Sequence, residues 1–343
     1  MTYSFVPRLH RATRAHPSDN LDLEFTNSMA HAGAKVGVGP LDLLYGIRSG
    51  DPGTTIVFTA HRDQIGLRVS HYDDEGFASF VPVGGWDPQV LVGQPVSFGR
   101  DGVRGVIGRK AVHLLKDGED KVAAKIESLW VDFGFKTGDE ARAALPVGTF
   151  GVIDRDGQHL NNDRYTARAL DDLAGCVVAV EAMKRCEVTP HRPGIVTALT
   201  KHEETIWLGA SGNFVAQLEP TVVVAVDVTF AEDPDTTAKD NAGIKLGKGP
   251  VIYHGGMFPE DITRRIVEIA KAAGIPYQEA ALGGHSSTDA DGMALGGYGQ
   301  NAVLISIPLR YMHSPVELVE LADLEHTAQL LVAVHDAAAR RAL

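Results

Sequence analysis

Cysteine is nearly missing from this chain: Cys176 and Cys186 are the only two in 343 residues, both within one helix-like segment. No disulfide framework follows from them, and a reducing compartment fits. Long apolar runs are also missing. Nothing approaches the ~20 consecutive apolar residues of a membrane span, and the amino-terminal MTYSFVPRLHRATRAHPSDN lacks the continuous apolar stretch of a secretory signal. Basic residues are in deficit, 32 against 44 acidic for a formal charge of -12. That balance argues against general binding to phosphate backbones or anionic membranes. No internal repeat or low-complexity tract occurs. What is present is an ordinary apolar fraction, 44%, in a chain long enough for one large domain and a smaller one. The expectation is a cytoplasmic protein with no nucleic-acid and no membrane partner.

Two hydrolase signatures are absent as well. Residues 200–210 read TKHEETIWLGA, and a histidine followed by glutamate invites the zinc-protease pattern of two histidines four residues apart on a helix. Position 206 is Ile206, so the pattern fails. A serine hydrolase needs a Gly-x-Ser-x-Gly elbow, and the one candidate, around His285-Ser286, has Thr288 in place of the second glycine. The adjacent pair Glu203 and Glu204 has a bland reading of its own, an acidic first turn complementing a helix dipole. Its chemistry rests on the rest of the chain.

Residues 1–53 contain polar and Gly-rich passages and receive no assignment. The TIVFT run at 55–59 is the first clear strand, with His61, Arg62 and Asp63 at its carboxyl end. From about 70 to 163, short segments alternate with turn signals, which reads as a small inserted all-β unit, barrel or sandwich, with one short helix near 138–145. His113 and His159 within it read as structural or exposed histidines. Beyond it the pattern becomes α/β. A helix follows Asp171-Asp172, with an Asp where a cap belongs. A strand at 195–200 ends at the HEE stretch, a helix is expected at 209–218, and an apolar run at 222–226 ends at Asp227. An amphipathic helix spans 259–273, a strand at 302–307 precedes Arg310-Tyr311-Met312-His313, and a last helix starts near 323. The fold class is therefore α/β, a mostly parallel sheet flanked by helices with an inserted small all-β domain. The expected domains are 1–69 with 164–343, and 70–163.

In such sheets ligands bind outside the carboxyl ends of the strands. His61, Glu203, Glu204, Asp227 and His313 follow expected strands, and Asp171 precedes a helix, so these six converge on one edge. Two histidines and four carboxylates without a thiolate suit Zn, Co or Mn. A carboxylate can bridge ions ~3.5–4 Å apart, which favours two ions over one.

The chain at this point resembles the M42 metallo-aminopeptidases, a family that includes the TET peptidases and the glutamyl aminopeptidases. The matching pieces, in the family's order, are TAHRDQIG at 59–66, RALDDLAG at 168–175, HEETIWLGA at 202–210, AVDVT at 225–229, LGKGPVI at 246–252 and ISIPLRYMHSPVE at 305–317. The resemblance implies a zinc-peptidase-like fold whose inserted β-barrel-like unit, 70–163, sits at a dimer contact. It makes Asp171 a bridging ligand, with Glu204 and His313 completing one metal site and His61 and Asp227 the other. Glu203 becomes the general base that later protonates the leaving amine, and Asp63 a partner that fixes the His61 imidazole. The cofactors implied are two divalent ions per subunit, zinc first, with cobalt or manganese as alternatives. Peptide substrates and a homo-oligomer, often a dodecamer, are implied as well. The chain departs from the family at Leu173, where a basic residue is usual, in lacking an early Pro-Ser-Gly motif, at Ile206 and Trp207, and in the expanded His285-Ser286-Ser287 loop, which is placed at the border of the substrate pocket. Two alternatives are a related metallohydrolase acting on N-acyl amino acids and a catalytically inactive metal-binding scaffold.

Overall fold

The computed structural model describes residues 5–14, 19–116, 118, 121–206, 211–236 and 238–340. Helices α1 (Val6–Arg14) and α2 (Asp19–His31) open the chain, followed by strands β1 (Lys35–Val38), β2 (Leu44–Arg48) and β3 (Asp51–His61). Next come β4 (Gly66–Tyr72), β5 (Ala78–Val83), β6 (Pro95–Phe98), β7 (Val103–Arg109), β8 (Leu129–Asp132) and β9 (Phe150–Ile153), with the short helices α3 (Pro88–Leu91) and α4 (Gly138–Ala144) among them. These strands close into a barrel in the order β4-β5-β8-β7-β6-β9. Alternating residues of its strands, among them Leu67, Val69, Phe80, Val96 and Phe98, point inward and form a core separate from that of the main sheet.

The barrel strands start at Gly66 and finish at Ile153. Strand β10 (Gln158–Leu160), which the density of turn signals groups with the insertion, pairs with β11 (Arg164–Ala167) and through it with β17 (Glu317–Glu320) in a separate three-stranded sheet. Turn residues mark where strands end, not which sheet they enter.

The remaining strands are β12 (Pro193–Thr200), β13 (Val222–Phe230), β14 (Val251–Gly255), β15 (Gln278–Leu282) and β16 (Ala302–Leu309). The remaining helices are α5 (Leu170–Arg185), α6 (Glu203–Ile206), α7 (Gly212–Ala216), α8 (Ala238–Asn241), α9 (Glu260–Ala273), α10 (Asp289–Ala294) and α11 (Leu321–Ala339). The main sheet has the order β1-β2-β12-β3-β13-β16-β14-β15. Its centre, β12-β3-β13-β16, is parallel, and antiparallel pairings join β2 to β12 and β14 to β16.

Every residue of β12 and of β16 is buried, as expected of strands covered on both faces. The period of two in β3 shows how: Ile56 and Phe58 enter the large core beneath α1, α2, α5, α9 and α11, while Val57 enters a second core with Val215 of α7 and Met293 of α10. No helix among the described residues is long and apolar enough to cross a membrane. Of the helix expected at 209–218, residues 209 and 210 lie outside the described residues, as does Trp207, and α7 forms over Gly212–Ala216.

Candidate metal centre

Parallel pairing aligns the carboxyl ends of the central strands. His61 closes β3 opposite Thr200, the last residue of β12, and three residues later Glu203 opens α6. Asp227 sits opposite Ser306 inside β13, which continues to Phe230 beyond the apolar run that marks it in the sequence. His313 lies in the loop after β16, and Asp171 stands at the irregular start of α5, where Asp171 and Asp172 have non-helical backbone angles and share a cis peptide bond. All six residues that the sequence placed at one edge meet there, with Asp63 beside them.

The Asp171 carboxylate lies between the two histidines. Its Oδ1 is 3.0 Å from His61 Nε2 and its Oδ2 is 3.4 Å from His313 Nε2. Glu204 Oε2 is 3.3 Å from His313 Nε2, and Asp227 Oδ1 is 4.0 Å from His61 Nε2. Glu203 Oε2 is 3.8 Å from His61 Nε2. Donors on a tetrahedral zinc at ~2.0 Å lie roughly 3.3 Å from one another, so the spacings around Asp171 match the donors of a metal site. Glu204 Oε1 is buried without a hydrogen-bond partner, an open donor of the kind a cation takes up. The residues present fit divalent ions.

The electrostatics agree. Burial pushes Glu203 up to about 9, with His61 opposing and Asp227, Asp289 and Asp171 adding to the rise. Burial likewise raises Asp227 to about 8, against His61 and with Asp171, and raises Glu204, with Asp171 adding. Burial alone would lower both histidines, yet Glu203, Asp171 and Asp227 hold His61 well above its ordinary value, and Asp171 and Glu204 carry His313 to about 11. Carboxylates this crowded call for positive charge, which bound cations provide.

Residues 44–330 match the family model described as M42 glutamyl aminopeptidase. The chain belongs to this family. It is 33% identical to lysyl aminopeptidase of Pyrococcus furiosus over 286 residues, 81% of this chain and 80% of that one. An aminopeptidase structure from the archaeon Desulfurococcus kamchatkensis superposes with a TM-score of 0.87 at 31% identity, over 97% of this chain and 94% of the other. The TET1 peptidase of Pyrococcus horikoshii, which can assemble into a tetrahedron or a large octahedral shell, does so with a TM-score of 0.81 at 28% identity, over 96% and 98%. The chain is thus an M42 aminopeptidase, a hydrolase of peptide bonds.

Around this M42 site, three carboxylates hold backbone rather than side chains. Asp63 accepts the N–H of Glu203 and of Glu204, each at 3.2 Å, and its own Oδ1 lies 3.7 Å from His61 Nδ1. Asp172 accepts the His61 N–H at 3.2 Å and the Gly175 N–H at 3.1 Å, the second bond making it the helix cap expected here. His61, Asp172 and Asp227 also bring donor atoms within 4.8 Å of one another, but both Asp172 oxygens are already engaged, which favours Asp171 as the ligand. Glu317, which sequence reasoning passed over, accepts the Asp171 N–H at 3.1 Å and the His313 N–H at 2.9 Å and is 1% exposed. Its one signal was its place as the last residue of the family-matching piece at 305–317.

Asp289, also passed over, is buried at the start of α10 and accepts a hydrogen bond from Thr200 Oγ1. Leu173, in the family's basic position, is wholly buried in the core.

The cleft in front of the site has a volume of about 480 Å³ and includes Ser286, Ser287 and Thr288, so the loop expected at its border is there. Ser286 Oγ pairs with Thr288 Oγ1 at 2.8 Å, while His285 Nδ1 pairs with Ser287 Oγ. The barrel reaches in too: a Cβ on Gly85 would come within 3.2 Å of His313 Nδ1, and one on Gly84, whose φ is +75°, within 3.3 Å of Glu204 Oε2.

Proposed function

We propose that this protein is a dinuclear metal aminopeptidase that releases the first residue of peptides bearing a free amino terminus. The observation that carries the reading is the Asp171 carboxylate, which offers one oxygen toward His61 and the other toward His313. Asp171 would be shared, with His61 and Asp227 holding one ion, and Glu204 and His313 the other. Zinc comes first, with cobalt or manganese as alternatives. When bound, such a pair supplies Lewis acidity for the scissile carbonyl and lowers the pKa of water.

The chain's own residues do the rest. Glu203 is outside the ligand set, and its backbone is fixed by Asp63. Its carboxylate takes a proton from water, and its burial favours holding that proton until it passes to the leaving amine. The Asp63 backbone carbonyl oxygen, 3.3 Å from His61 Nδ1, keeps the imidazole turned with Nε2 toward Asp171. Asp172 and Glu317 hold the backbones of His61, Asp171 and His313, so the donors keep their spacing. The free α-amine of the substrate docks at the same carboxylate-rich end, which limits cleavage to one residue.

The barrel, expected as a dimerisation domain over 70–163, has exposed apolar side chains that include Val81, Val106, Val112, Leu114 and Val122. The likeness to the assembling TET1 peptidase supports a homo-oligomer, with twelve subunits as the first form to test. The two cysteines are free and buried, in keeping with a reducing cytoplasm.

The test is a panel of aminoacyl chromogenic amides, unblocked and N-acetylated, assayed with Zn, Co and Mn. Release from unblocked amides alone is expected. Equal or faster release from N-acetylated amides overturns the reading, and no release from either identifies an inactive scaffold.

A further inference from the structure

Beyond the residues assigned to the centre, the described lining of the cleft contains no acidic, basic or histidine side chain. Its wall is made by Val228, Phe230, Tyr253, Leu282, Leu304 and Met312. Hydroxyl groups complete it, and several of them already bond to each other: Tyr253 Oη lies 2.6 Å from Thr229 Oγ1, and Ser286 Oγ pairs with Thr288.

The charged groups nearby are turned elsewhere. His254 alternates with Tyr253 along β14 and pairs with Glu279 at 2.9 Å. Asp291, behind the Ser286 loop, is 2% exposed and receives the backbone N–H groups of Ser286 and Ser287. Arg310 donates to the Glu232 carbonyl, and Lys245 lies 3.6 Å from the Glu232 carboxylate.

A lysine or glutamate side chain laid against this wall, away from the charged groups of the centre, would lose water without gaining a counter-charge, and an unpaired buried charge is costly. An aliphatic or thioether side chain would displace water from apolar surface instead. The cleft lies within the size range of small-molecule sites, ~300–1,000 Å³, which accommodates leucine, methionine or phenylalanine.

Resting on the aminopeptidase reading, we infer that the site selects an uncharged, apolar first residue and rejects both acidic and basic ones, although the family takes its name from glutamyl substrates.

The metal-loaded full-length protein is assayed with leucyl, methionyl, phenylalanyl, lysyl and glutamyl p-nitroanilides, and calorimetry compares free L-leucine with L-lysine and L-glutamate. The expected kcat/KM for the leucyl and methionyl amides exceeds those for lysyl and glutamyl by at least ~10²-fold, with L-leucine binding tightest. A lysyl or glutamyl amide cleaved as well as the leucyl one overturns the inference and leaves the aminopeptidase reading in place. If no unblocked amide is cleaved, that reading fails, and the calorimetry alone decides: tighter L-leucine supports the apolar pocket, and equal or tighter L-lysine or L-glutamate removes it. Leu282→Glu, which adds a carboxylate to the wall, is expected to raise the lysyl-to-leucyl ratio at least ~10-fold. An unchanged ratio counts against the pocket.

Discussion

Asp63 holds Glu203 by its backbone: Asp63 Oδ1 accepts the Glu203 N–H at 3.2 Å, while Oδ2 accepts the neighbouring N–H of Glu204 at the same distance. A four-residue helix is thus pinned at its first turn by a residue two positions past His61, and the Glu203 carboxylate faces His61, 3.8 Å from its Nε2. Glu203→Gln keeps this backbone bond and removes only the proton carrier. It is expected to retain full metal content and fold while kcat falls by at least ~10²-fold. Wild-type turnover with metal retained would remove the proton-transfer role.

Glu204 has the opposite assignment. Its Oε2 faces His313, and its buried Oε1 has no partner. Glu204→Gln is expected to lower metal occupancy along with activity, measured by elemental analysis after dialysis. Two ions retained at full occupancy would reverse the division of labour within the pair.

Glu317 joins two proposed ligands that the chain separates widely, through the N–H groups of Asp171 and His313. Glu317→Ala leaves both buried donors without their acceptor. Metal affinity is expected to fall ~10–100-fold, with Glu317→Gln, which keeps one oxygen acceptor, falling less. Titration of the apo-proteins with zinc measures both. Equal affinity in all three would show that Glu317 serves packing alone.

Arg185 of α5 reaches Glu325 of α11 with two bonds, at 2.7 and 2.9 Å, and Glu181 on its own helix at 2.8 Å. Arg185 holds Glu325 below its ordinary carboxyl range against burial. For Glu181, burial is outweighed by Arg8 and Arg185, and its value falls too. A folded-state pKa below the unfolded value means stabilisation that is present above the unfolded value of 4.5 and lost as pH falls through the lower folded values. The wild-type Tm is therefore expected to drop more steeply below about pH 4.5 than that of Arg185→Gln. Parallel Tm curves from pH 7 to 3 would show that the cluster adds nothing to acid sensitivity.

The central sheet and the meeting of the proposed ligands at one edge were legible because His61, Glu204, Asp227 and His313 each end or follow a buried apolar run and Asp171 precedes a helix, and parallel pairing brings the strand ends together. Asp227 was found in the right place for an incomplete reason: the apolar run stops there, but the strand continues to Phe230. Residues 1–53 hid α1, α2, β1 and β2. The strand β1 is short, with no buried residue, and α1 shows few apolar positions, with Leu9 and Ala12 packed inward. Strands β14 and β15 escaped because each is only five residues long, and β15, at the edge of the sheet, has Ala280 as its one buried residue. Glu317 escaped because its partners are backbone N–H groups, one of them 146 residues away, and only the fold reveals them. The inserted all-β unit was recognised from its turns, while its closure into a barrel and the place of β10, which pairs with β11 and through it with β17, come only from the strand pairing.

The central claim is a pair of ions held across Asp171, and the most direct measurement is the number of zinc ions bound per chain, taken together with activity before and after chelation. Two ions per chain, loss of peptidase activity in the verified metal-free protein, and recovery when zinc is restored are expected. A single ion per chain, or full activity without metal, would contradict the claim.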